Sequence, residues 1–231
     1  MKIALVGYGK MGKIIEQLAP NYDMEVAATF DIDCPLKDTP AIREQLEQIP
    51  VLIEFSTPGT VMDNIKTGLA LGKQMVIGTT SWHDHLESVK KQVTETNTGL
   101  VYASNFSLGV NLFYEILRHA GRIISKFDNY DPFIEEAHHQ FKKDAPSGTA
   151  LVIKDIVQEK FNDDIPVSCV RAGYIPGTHA VSFDSRVDTI RLEHVARNRE
   201  GFAEGALIAA KWIARQKGCF GFDEVLRDIL V

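Results

Sequence analysis

The amino-acid sequence predicts an α/β protein with an N-terminal Rossmann-type domain and a smaller α+β domain that contains an open mixed sheet. The first domain is indicated by the apolar run KIALV at residues 2–6, followed at once by the glycine-rich segment GYGKMG at residues 7–12. A strand, a G-x-G-x-x-G loop and a helix in this order form the fingerprint of a dinucleotide-binding domain. The second domain is indicated by alternating, β-branched segments within residues 164–195, which favour strands joined by short turns.

Composition argues against several classes of protein. The chain has 231 residues, of which 45% are hydrophobic and 24% charged, as is ordinary for a globular protein with a substantial core. A formal net charge of −6 and the lack of a long basic run argue against nucleic-acid binding. No apolar run reaches membrane-spanning length, and the N-terminus lacks the apolar core of a signal peptide. Three scattered cysteines without metal-ligand spacing indicate free thiols, and we expect a cytoplasmic protein without a metal; they are Cys34, Cys169 and Cys219.

The glycine loop predicts a cofactor site. Gly7 allows the tight turn after the first strand, Gly9 lets a pyrophosphate approach the backbone, and Gly12 permits close packing of helix on strand. The next predicted strand, MEVAATF, is followed directly by Asp31, whose carboxylate can accept hydrogen bonds from the adenosine ribose. We therefore expect a nicotinamide dinucleotide cofactor. Its expected contacts here are Gly7, Tyr8, Gly9, Lys10, Met11, Gly12 and Asp31.

Further strands and helices alternate along the first domain. Buried strands are predicted at VLIEFS, QMVIG and TGLVYAS, and helices at IIEQLA, AIREQLEQI, TVMDNIKTGLALG and SWHDHLESVKKQVTETN. In a doubly wound sheet, the carboxyl ends of the parallel strands line the edge where the cofactor lies. The turn formed by Gly78, Thr79 and Thr80 is therefore expected beside the dinucleotide, as are Ser56 and Thr57.

The second domain begins with an amphipathic helix, LFYEILRHAGRIISKF, and a strand, DPFIEEAHH. Three later strands, VSCVRAG, HAVSFDS and DTIRLEHVA, complete the predicted mixed sheet. A long helix, REGFAEGALIAAKWIARQ, follows, and the tail GCFGFDEVLRDIL is expected to pack on the first domain. The expected boundaries are 1–105 for the dinucleotide-binding domain, 106–211 for the substrate-binding and oligomerisation domain, and about 212–231 for the tail.

Residues 135–150, EEAHHQFKKDAPSGTA, carry the candidate chemistry. Apolar spacing in the next segment predicts a helix that begins at about Ser147, whose side chain is a good N-cap. The unpaired N–H groups of Gly148 and Thr149 then form a site for a carboxylate or a phosphate. A solvated loop with a surface histidine pair is the alternative interpretation, but the helix start favours a site. The upstream groups that can move a proton or hold a positive charge are His138, His139 and Lys142.

The same stretch, E-A-H-H-x-x-K-x-D-A-P-S-G-T-A, resembles the signature of the dihydrodipicolinate reductase family. The resemblance covers nearly the whole chain. It includes ASNFSLGVN at residues 103–111 and RAGYIPGTH at residues 171–179, where His179 is a possible secondary site residue. It implies NAD(P)H-dependent reduction of 4-hydroxy-tetrahydrodipicolinate to tetrahydrodipicolinate in diaminopimelate and lysine biosynthesis. It also implies a homotetramer formed through the open face of the second sheet.

The resemblance implies roles for individual residues. His138 is the expected acid–base residue, with Lys142 as proton donor or charge partner, although the sequence does not divide the work between them. One substrate carboxylate is expected at Gly148 and Thr149, and the other near His139 and Lys142. The glycine–threonine turn is expected to contact the nicotinamide side of the cofactor. The segment that joins the domains borders the nicotinamide, and its expected contacts are Ala103, Ser104, Asn105 and Phe106.

Charges beside the glycine loop predict which nicotinamide cofactor is used. Asp31 can pair with both ribose hydroxyls of NADH, and its charge would repel the 2′-phosphate of NADPH. Ile32 follows it, so no arginine is present at this position to bind the phosphate. Lys10 and Lys13 favour NADPH instead, because their flexible positive charges can attract the 2′-phosphate. We expect NADH to be preferred and NADPH to be usable.

Two other kinds of function fit parts of the pattern. An amino-acid, aspartate or semialdehyde dehydrogenase could share the two-domain plan. A semialdehyde dehydrogenase, however, needs a nucleophilic cysteine, and none lies near the glycine loop or the histidine pair. An NAD-sensing regulator would have no use for a histidine–lysine cluster beside an anion site. The expected partners are therefore a small dicarboxylate substrate and further copies of the chain, without nucleic acid or membrane.

Overall fold

The computed structural model describes residues 1–230, and these residues form two compact units. The first unit contains Met1–Ser107 together with residues 200–230, and the second is Leu108–Arg199. Strands and helices are numbered in chain order. The strands are β1 Lys2–Val6, β2 Glu25–Phe30, β3 Val51–Glu54, β4 Gln74–Ile77, β5 Gly99–Tyr102, β6 Asp131–His138, β7 Val167–Arg171, β8 Thr178–Asp184, β9 Thr189–Val195 and β10 Gly218–Gly221. The helices are α1 Lys10–Leu18, α2 Pro40–Gln45, α3 Val61–Ala70, α4 Leu86–Thr96, α5 Leu108–Ile124, α6 Gly148–Gln158, α7 Glu200–Ile213 and α8 Phe222–Leu230.

The first unit is built on a six-stranded sheet with the strand order β10-β5-β4-β3-β1-β2. All of its strand pairs are parallel, and β1 lies between β2 and β3, where the strand order reverses. This is the doubly wound arrangement that the glycine loop predicts. Strand β3 is buried at every position, as expected for a parallel strand covered on both faces. The surrounding core includes Leu52, Ile65, Met75 and Trp82.

Helix α7 belongs to the first unit, whereas the sequence pattern places the end of the second domain at residue 211. The helix contacts α1 and the strands β3, β4 and β5. At Gly205 the packing is so close that a Cβ would overlap with the Phe106 carbonyl. The boundary differs because an apolar helix pattern shows that a helix is covered but not which sheet covers it. The buried residues of α7 are Ala203, Gly205, Ala206, Leu207, Ala209, Ala210 and Ile213.

The second unit contains a four-stranded sheet with the strand order β7-β6-β8-β9. Strand β6 is parallel to β7 and antiparallel to β8, which is antiparallel to β9, so the sheet is mixed as predicted. Helix α5 packs on α6, and α6 packs on β6. Burial along β6 alternates, because alternate side chains point to opposite faces. The core on the helix side includes Phe113, Leu117, Ile134, Ile153 and Val181.

The opposite side of this sheet is called the open face here. It carries a row of neighbouring residues on the four strands, in which Val170 pairs with Ala137, Ala137 with Thr178, and Thr178 with Val195. The two valines at the ends of the row are 50% and 57% exposed, respectively. None of the helices in residues 1–230 combines the length and apolarity that a transmembrane segment needs.

Candidate active site

The glycine loop connects β1 to α1 at the carboxyl end of the parallel sheet. Gly7 has a φ of +94°, and a Cβ at this position would overlap with the Phe55 carbonyl, so no other residue fits. A Cβ on Gly12 would lie 2.6 Å from the Gly7 carbonyl oxygen, which is also too close. Gly9 differs, because it is the N-cap of α1 and has no heavy atom within 4 Å of its Cβ position. A phosphate can therefore approach the N-terminus of α1 at Gly9.

A cavity of about 430 Å³ lies against this loop. It brings together two of the predicted cofactor segments, the glycine loop and the turn that follows β4. Trp82 anchors this turn, because its indole Nε1 donates a hydrogen bond of 2.9 Å to the Thr79 carbonyl. Most of the residues that line the cavity belong to the segments that are predicted to contact the dinucleotide. The lining residues are Gly9, Lys10, Met11, Phe55, Ser56, Pro58, Gly78, Thr79 and Thr80.

Asp31 lies beside the glycine loop, as the sequence predicts. Its Oδ2 accepts a hydrogen bond of 3.2 Å from the Tyr8 N–H, and its Oδ1 accepts one of 2.9 Å from the Ile32 N–H. The Tyr8 hydroxyl donates to Glu16, and the Lys13 ammonium lies 6.0 Å from the centre of the Tyr8 ring. Because Asp31 is exposed and a carboxylate has several lone pairs, it can still accept bonds from a ribose.

The segment after β5, which is expected to border the nicotinamide, is partly exposed and partly buried. Ala103, Ser104 and Asn105 are at least partly exposed and can contact a ligand. Phe106, by contrast, is only 2% exposed, and its ring packs against Phe55 with the ring centres 6.1 Å apart. Its side chain therefore belongs to the core of the first unit, and only its backbone is left for a cofactor. The apolar character of Phe106 was the sequence signal that indicated packing in the core.

Glu54 is a buried carboxyl next to the cavity that was not among the predicted site residues. It ends β3, and its Oε1 accepts hydrogen bonds of 3.2 Å from the Ser56 N–H and from the Asn64 amide. Burial raises the pKa of Glu54 despite these bonds. An acid inside the apolar strand VLIEFS was the available signal, because a buried carboxyl needs polar partners. Through these bonds Glu54 holds Ser56, which lines the cavity.

In the second unit, His138 is the last residue of β6 and is 7% exposed. Glu136 lies two positions earlier on the same face of the strand, and its Oε2 forms a hydrogen bond with His138 Nδ1. Arg171 lies opposite His138 on β7, and its Nη2 donates bonds of 2.6 Å to Glu136 Oε1 and to the Asp144 carbonyl. Neither Glu136 nor Arg171 was predicted as a site residue. The sequence signal for Glu136 was its position two residues before His138, because residues at this spacing lie on the same face of a strand.

His179 connects His138 to the start of α6. It lies opposite Glu136 on β8, and its ring meets the His138 ring edge-on, with the centres 5.1 Å apart. Its Nε2 lies 3.2 Å from Ser147 Oγ. Ser147 is the predicted N-cap: its Oγ accepts a bond of 3.2 Å from the Ala150 N–H, and its own N–H donates one of 3.2 Å to Glu136. His179 is therefore a central member of this network, although the sequence ranks it as secondary.

Helix α6 begins at Gly148, where the sequence predicts an anion site. No heavy atom lies within 4 Å of the Cβ position of Gly148, so a ligand can approach the backbone. Thr149 is half-buried and hydrogen-bonded to Tyr114 on α5. Burial raises the pKa of Tyr114 to about 12, so its phenol is neutral at physiological pH. The helix start therefore offers backbone N–H groups with open space in front of them.

His139 and Lys142 lie on the loop that follows β6. The His139 N–H donates a bond of 2.8 Å to the Ile175 carbonyl, which holds the loop near β8. The His139 Nδ1 is buried and has no hydrogen-bond partner among residues 1–230. The Lys142 ammonium forms an ion pair of 2.9 Å with Asp144. A substrate carboxylate that binds Lys142 must therefore share it with Asp144 or displace that residue.

Burial and hydrogen bonds set the charges of the network. Burial opposes the ionisation of Glu136, but hydrogen bonds from Arg171, Cys169 and His138 outweigh it and lower the pKa of Glu136 to about 2. Burial lowers the pKa of His138, and Glu136 offsets part of that effect. Burial, together with the neighbouring His138, lowers the pKa of His179 to about 4. Near neutral pH, Glu136 is thus a carboxylate and His179 is neutral.

The network is suited to proton transfer more than to metal binding. Glu136, His138 and His179 are residue types that ligate metals, and one ligand atom of each lies within 4.8 Å of the others. Both carboxylate oxygens of Glu136, however, already accept hydrogen bonds, and the Arg171 guanidinium adds a positive charge beside them. A buried histidine bonded to a carboxylate is instead a common arrangement for a general acid or base.

Comparisons with known proteins identify the family. The family models for "Dihydrodipicolinate reductase, N-terminus" and "Dihydrodipicolinate reductase, C-terminus" match residues 1–106 and 109–226. The 4-hydroxy-tetrahydrodipicolinate reductase of Christiangramia forsetii is 35% identical, with 99% of each chain covered. That of Methanosarcina barkeri is 33% identical, covering 98% of this chain and 99% of its own. The solved dipicolinate-bound dihydrodipicolinate reductase from Paenisporosarcina sp. TG-14 shares the fold, with a TM-score of 0.80 at 22% identity over 97% of this chain and 98% of that one. The chain therefore belongs to the dihydrodipicolinate reductase family.

Proposed function

We propose that the second unit binds a dicarboxylate substrate at the start of α6 and exchanges a proton with it through His138 and Lys142. As a member of its family, the protein is an oxidoreductase that reduces 4-hydroxy-tetrahydrodipicolinate to tetrahydrodipicolinate in diaminopimelate and lysine biosynthesis. One observation carries the proposal for the site. A chain of hydrogen bonds runs from His138 through Glu136 to Ser147, the N-cap of α6. It joins an acid–base residue to an anion-binding helix start within one unit.

A substrate with two carboxylates needs two regions that attract negative charge. The N–H groups of Gly148 and Thr149 supply one, at the positive end of the α6 dipole. His139, whose Nδ1 has no partner among the described residues, and Lys142 supply the other. The Paenisporosarcina reductase was solved with dipicolinate, an aromatic dicarboxylate, and this supports the same ligand class for the present chain.

The hydroxylated ring loses water before or during the reaction, and a hydride and a proton are added to the two ends of a ring carbon–carbon double bond. The nicotinamide cofactor supplies the hydride when bound. His138 can deliver or remove a proton because an imidazole both donates and accepts protons at its ring nitrogens. The Lys142 ammonium can deliver a proton or stabilise negative charge as it develops on the ring. Arg171 cannot replace either group, because a guanidinium stays protonated in proteins.

The cofactor of this family is a nicotinamide dinucleotide, and we propose that NADH is preferred here over NADPH. Asp31 supports this preference, because its carboxylate is fixed against the glycine loop by the N–H groups of Tyr8 and Ile32. A 2′-phosphate at the adenosine ribose would meet this negative charge. Lys10 and Lys13 lie near the loop and allow NADPH to be used with lower efficiency.

A single assay tests this function against its rivals. The protein is mixed with NADH and with substrate that is generated in the same solution by the synthase acting before this step of diaminopimelate biosynthesis. The absorbance of the reduced nicotinamide is followed. We expect rapid oxidation of NADH, with competitive inhibition by dipicolinate and weaker inhibition by a pyridine monocarboxylate. Reduction of added NAD+ by an amino acid or a semialdehyde instead would indicate one of the other dehydrogenases. Tight cofactor binding without turnover of any of these compounds would indicate a regulator.

We further propose a cytoplasmic homotetramer that assembles through the open face. The row that ends in Val170 and Val195 places apolar side chains at an exposed surface, with the smaller Ala137 and Thr178 between them. A sheet face of this kind can pack against the same face of another copy. The three cysteines are free, as expected for a reducing compartment.

A further inference from the structure

We propose that Glu136 is a positioning residue for the reaction: it holds the His138 imidazole with its proton on Nδ1 and stabilises the imidazolium form. The inference rests on the proposed function, in which His138 is the acid–base residue. Glu136 acts through His138 and has no need to touch the substrate. Arg171 and Ser147 serve the same purpose indirectly, because they hold the carboxylate of Glu136 in place.

The geometry defines which nitrogen of His138 can react. An ionised carboxylate only accepts hydrogen bonds, so His138 Nδ1 must donate to Glu136 Oε2. The second nitrogen, Nε2, is then the acceptor in the neutral ring and the proton donor in the imidazolium. The neighbouring position on that side is Gly177, where an added Cβ would lie 3.1 Å from His138 Nε2. Because glycine has no side chain, Nε2 is left uncrowded at the position where a substrate proton has to be exchanged.

Four donors keep Glu136 ionised in spite of its burial. The Arg171 guanidinium donates to Oε1 at 2.6 Å, the Ser147 N–H donates to the same oxygen at 3.2 Å, and His138 binds Oε2. Cys169 on β7 adds a further hydrogen bond. A buried carboxylate without such partners would take up a proton and could no longer orient the histidine. The low pKa of Glu136, about 2, shows that the partners prevail.

The other charges that face His138 oppose its protonation. Arg171 on β7 and Lys142 on the loop are positive and lower the pKa of His138, as does its burial. His179 on β8 is neutral near pH 7 and adds no charge. Glu136 is thus the residue that offsets these effects. If its charge is removed, burial and two cations act unopposed, and His138 keeps its proton only at lower pH.

Glu136→Gln tests the proposal, because glutamine keeps the shape of the side chain and loses the charge. The exposed Glu159, at the end of α6 in the same unit, provides the control Glu159→Gln. We expect Glu136→Gln to lower kcat about tenfold or more near neutral pH while the KM for NADH changes by less than about twofold. The pH profile of kcat should move to lower pH. The titration midpoint of His138, followed by NMR of the ring in the cofactor-free protein, should fall by about one pH unit or more.

Glu136→Asp provides a second test in case Glu136→Gln does not fold, since aspartate keeps the charge on a shorter side chain. Its kcat and its His138 midpoint should lie between those of wild type and Glu136→Gln. The proposal is overturned if Glu136→Gln, or Glu136→Asp where only that variant folds, leaves both the pH profile and the midpoint unchanged. The NMR titration does not depend on turnover. A protein that titrates as expected but reduces no dicarboxylate would refute the proposed function and leave the Glu136–His138 pairing in place.

Discussion

At the scale of single residues, the second unit is organised by one buried carboxylate. Glu136 accepts hydrogen bonds from groups on three different elements: His138 on its own strand, Arg171 on β7 and Ser147 at the start of α6. Because the cost of burying each charge is met by a partner, substitution of one member leaves another buried and unpaired. Effects on stability and on chemistry are therefore separable only with conservative variants.

Replacement of the acid–base residue is the most direct test at this scale. We expect His138→Gln to lower kcat by about two orders of magnitude or more, the usual contribution of a general acid or base. Binding of NADH should stay nearly unchanged, because the dinucleotide fingerprint lies in the other unit. His83→Gln, at an exposed histidine of the first unit, is the control. Measurement of kcat and of the NADH dissociation constant decides the matter, and wild-type turnover in His138→Gln would rule out the assignment.

A second test concerns the choice of cofactor. The ratio of kcat/KM for NADH to that for NADPH should favour NADH by about ten- to thirtyfold, because the repulsion from Asp31 is partly offset by nearby lysines. Asp31→Ser removes the repulsion and should shift the ratio strongly toward NADPH. Asp33→Ser, two positions further along the chain, is the control. If wild type already prefers NADPH and Asp31→Ser changes little, then Lys10 or Lys13 determines the preference.

The residues of the site differ in how far the sequence could predict them. Helix-start signals were sufficient to predict the Ser147 cap and the start of α6 near Gly148. Local spacing did not decide between His138 and His139, and the family resemblance supplied the roles expected for His138 and Lys142. Glu136 was within reach, since strand alternation puts it on the same face as His138. The partnership with Arg171 and His179 depends on which strands pair and in which register, and no local pattern specifies that pairing. The burial of the Phe106 side chain likewise depends on packing against Phe55, which no local pattern specifies.

At the scale of elements, the start of α6 depends on a histidine from another strand. His179 on β8 contacts the cap residue Ser147 and is held neutral, with its pKa lowered to about 4 from 6.5. Neutral histidine is the form that the folded state prefers. The contribution of His179 to stability is therefore fully present above about pH 6.5, and it is lost as the pH falls toward 4 because the unfolded chain takes up the proton first.

Because His179 stays neutral in the folded protein, we expect the free energy of unfolding to fall with pH. Substitution of His179 should make that fall smaller. From pH 7.5 to about pH 4, the free energy of unfolding should decline by up to about 3 kcal/mol through His179 alone. His179→Gln can still hydrogen-bond Ser147 and does not titrate, so its urea-unfolding midpoint should fall less over this pH range. His85→Gln, at an exposed histidine, should follow wild type. Equal acid sensitivity in wild type and His179→Gln would show that His179 is not held neutral by the fold.

At the scale of the whole molecule, two units and their sheet types could be predicted because the glycine fingerprint and the β-branched alternation are strong local signals. The expected homotetramer has a test at this scale. Val170→Asp puts a charge on the exposed row of the open face and should shift the protein from tetramer to smaller species in sedimentation velocity. Ile229→Asp, at a half-exposed residue of α8 in the first unit, is the control. An unchanged sedimentation coefficient for Val170→Asp would mean that copies associate through another surface.

The interrupted path of the chain has a consequence for biosynthesis. The first unit needs α7, β10 and α8, which the ribosome makes after residues 108–199, and residues 108–199 form one continuous piece. Domains generally fold as units while the chain is being made. The acid–base network can therefore assemble on the nascent chain before the dinucleotide fold is complete. Until α7 and β10 have been made, β5 has an unpaired edge and the side of the sheet that α7 covers is bare. We expect newly made chains to be most prone to unwanted association during that interval.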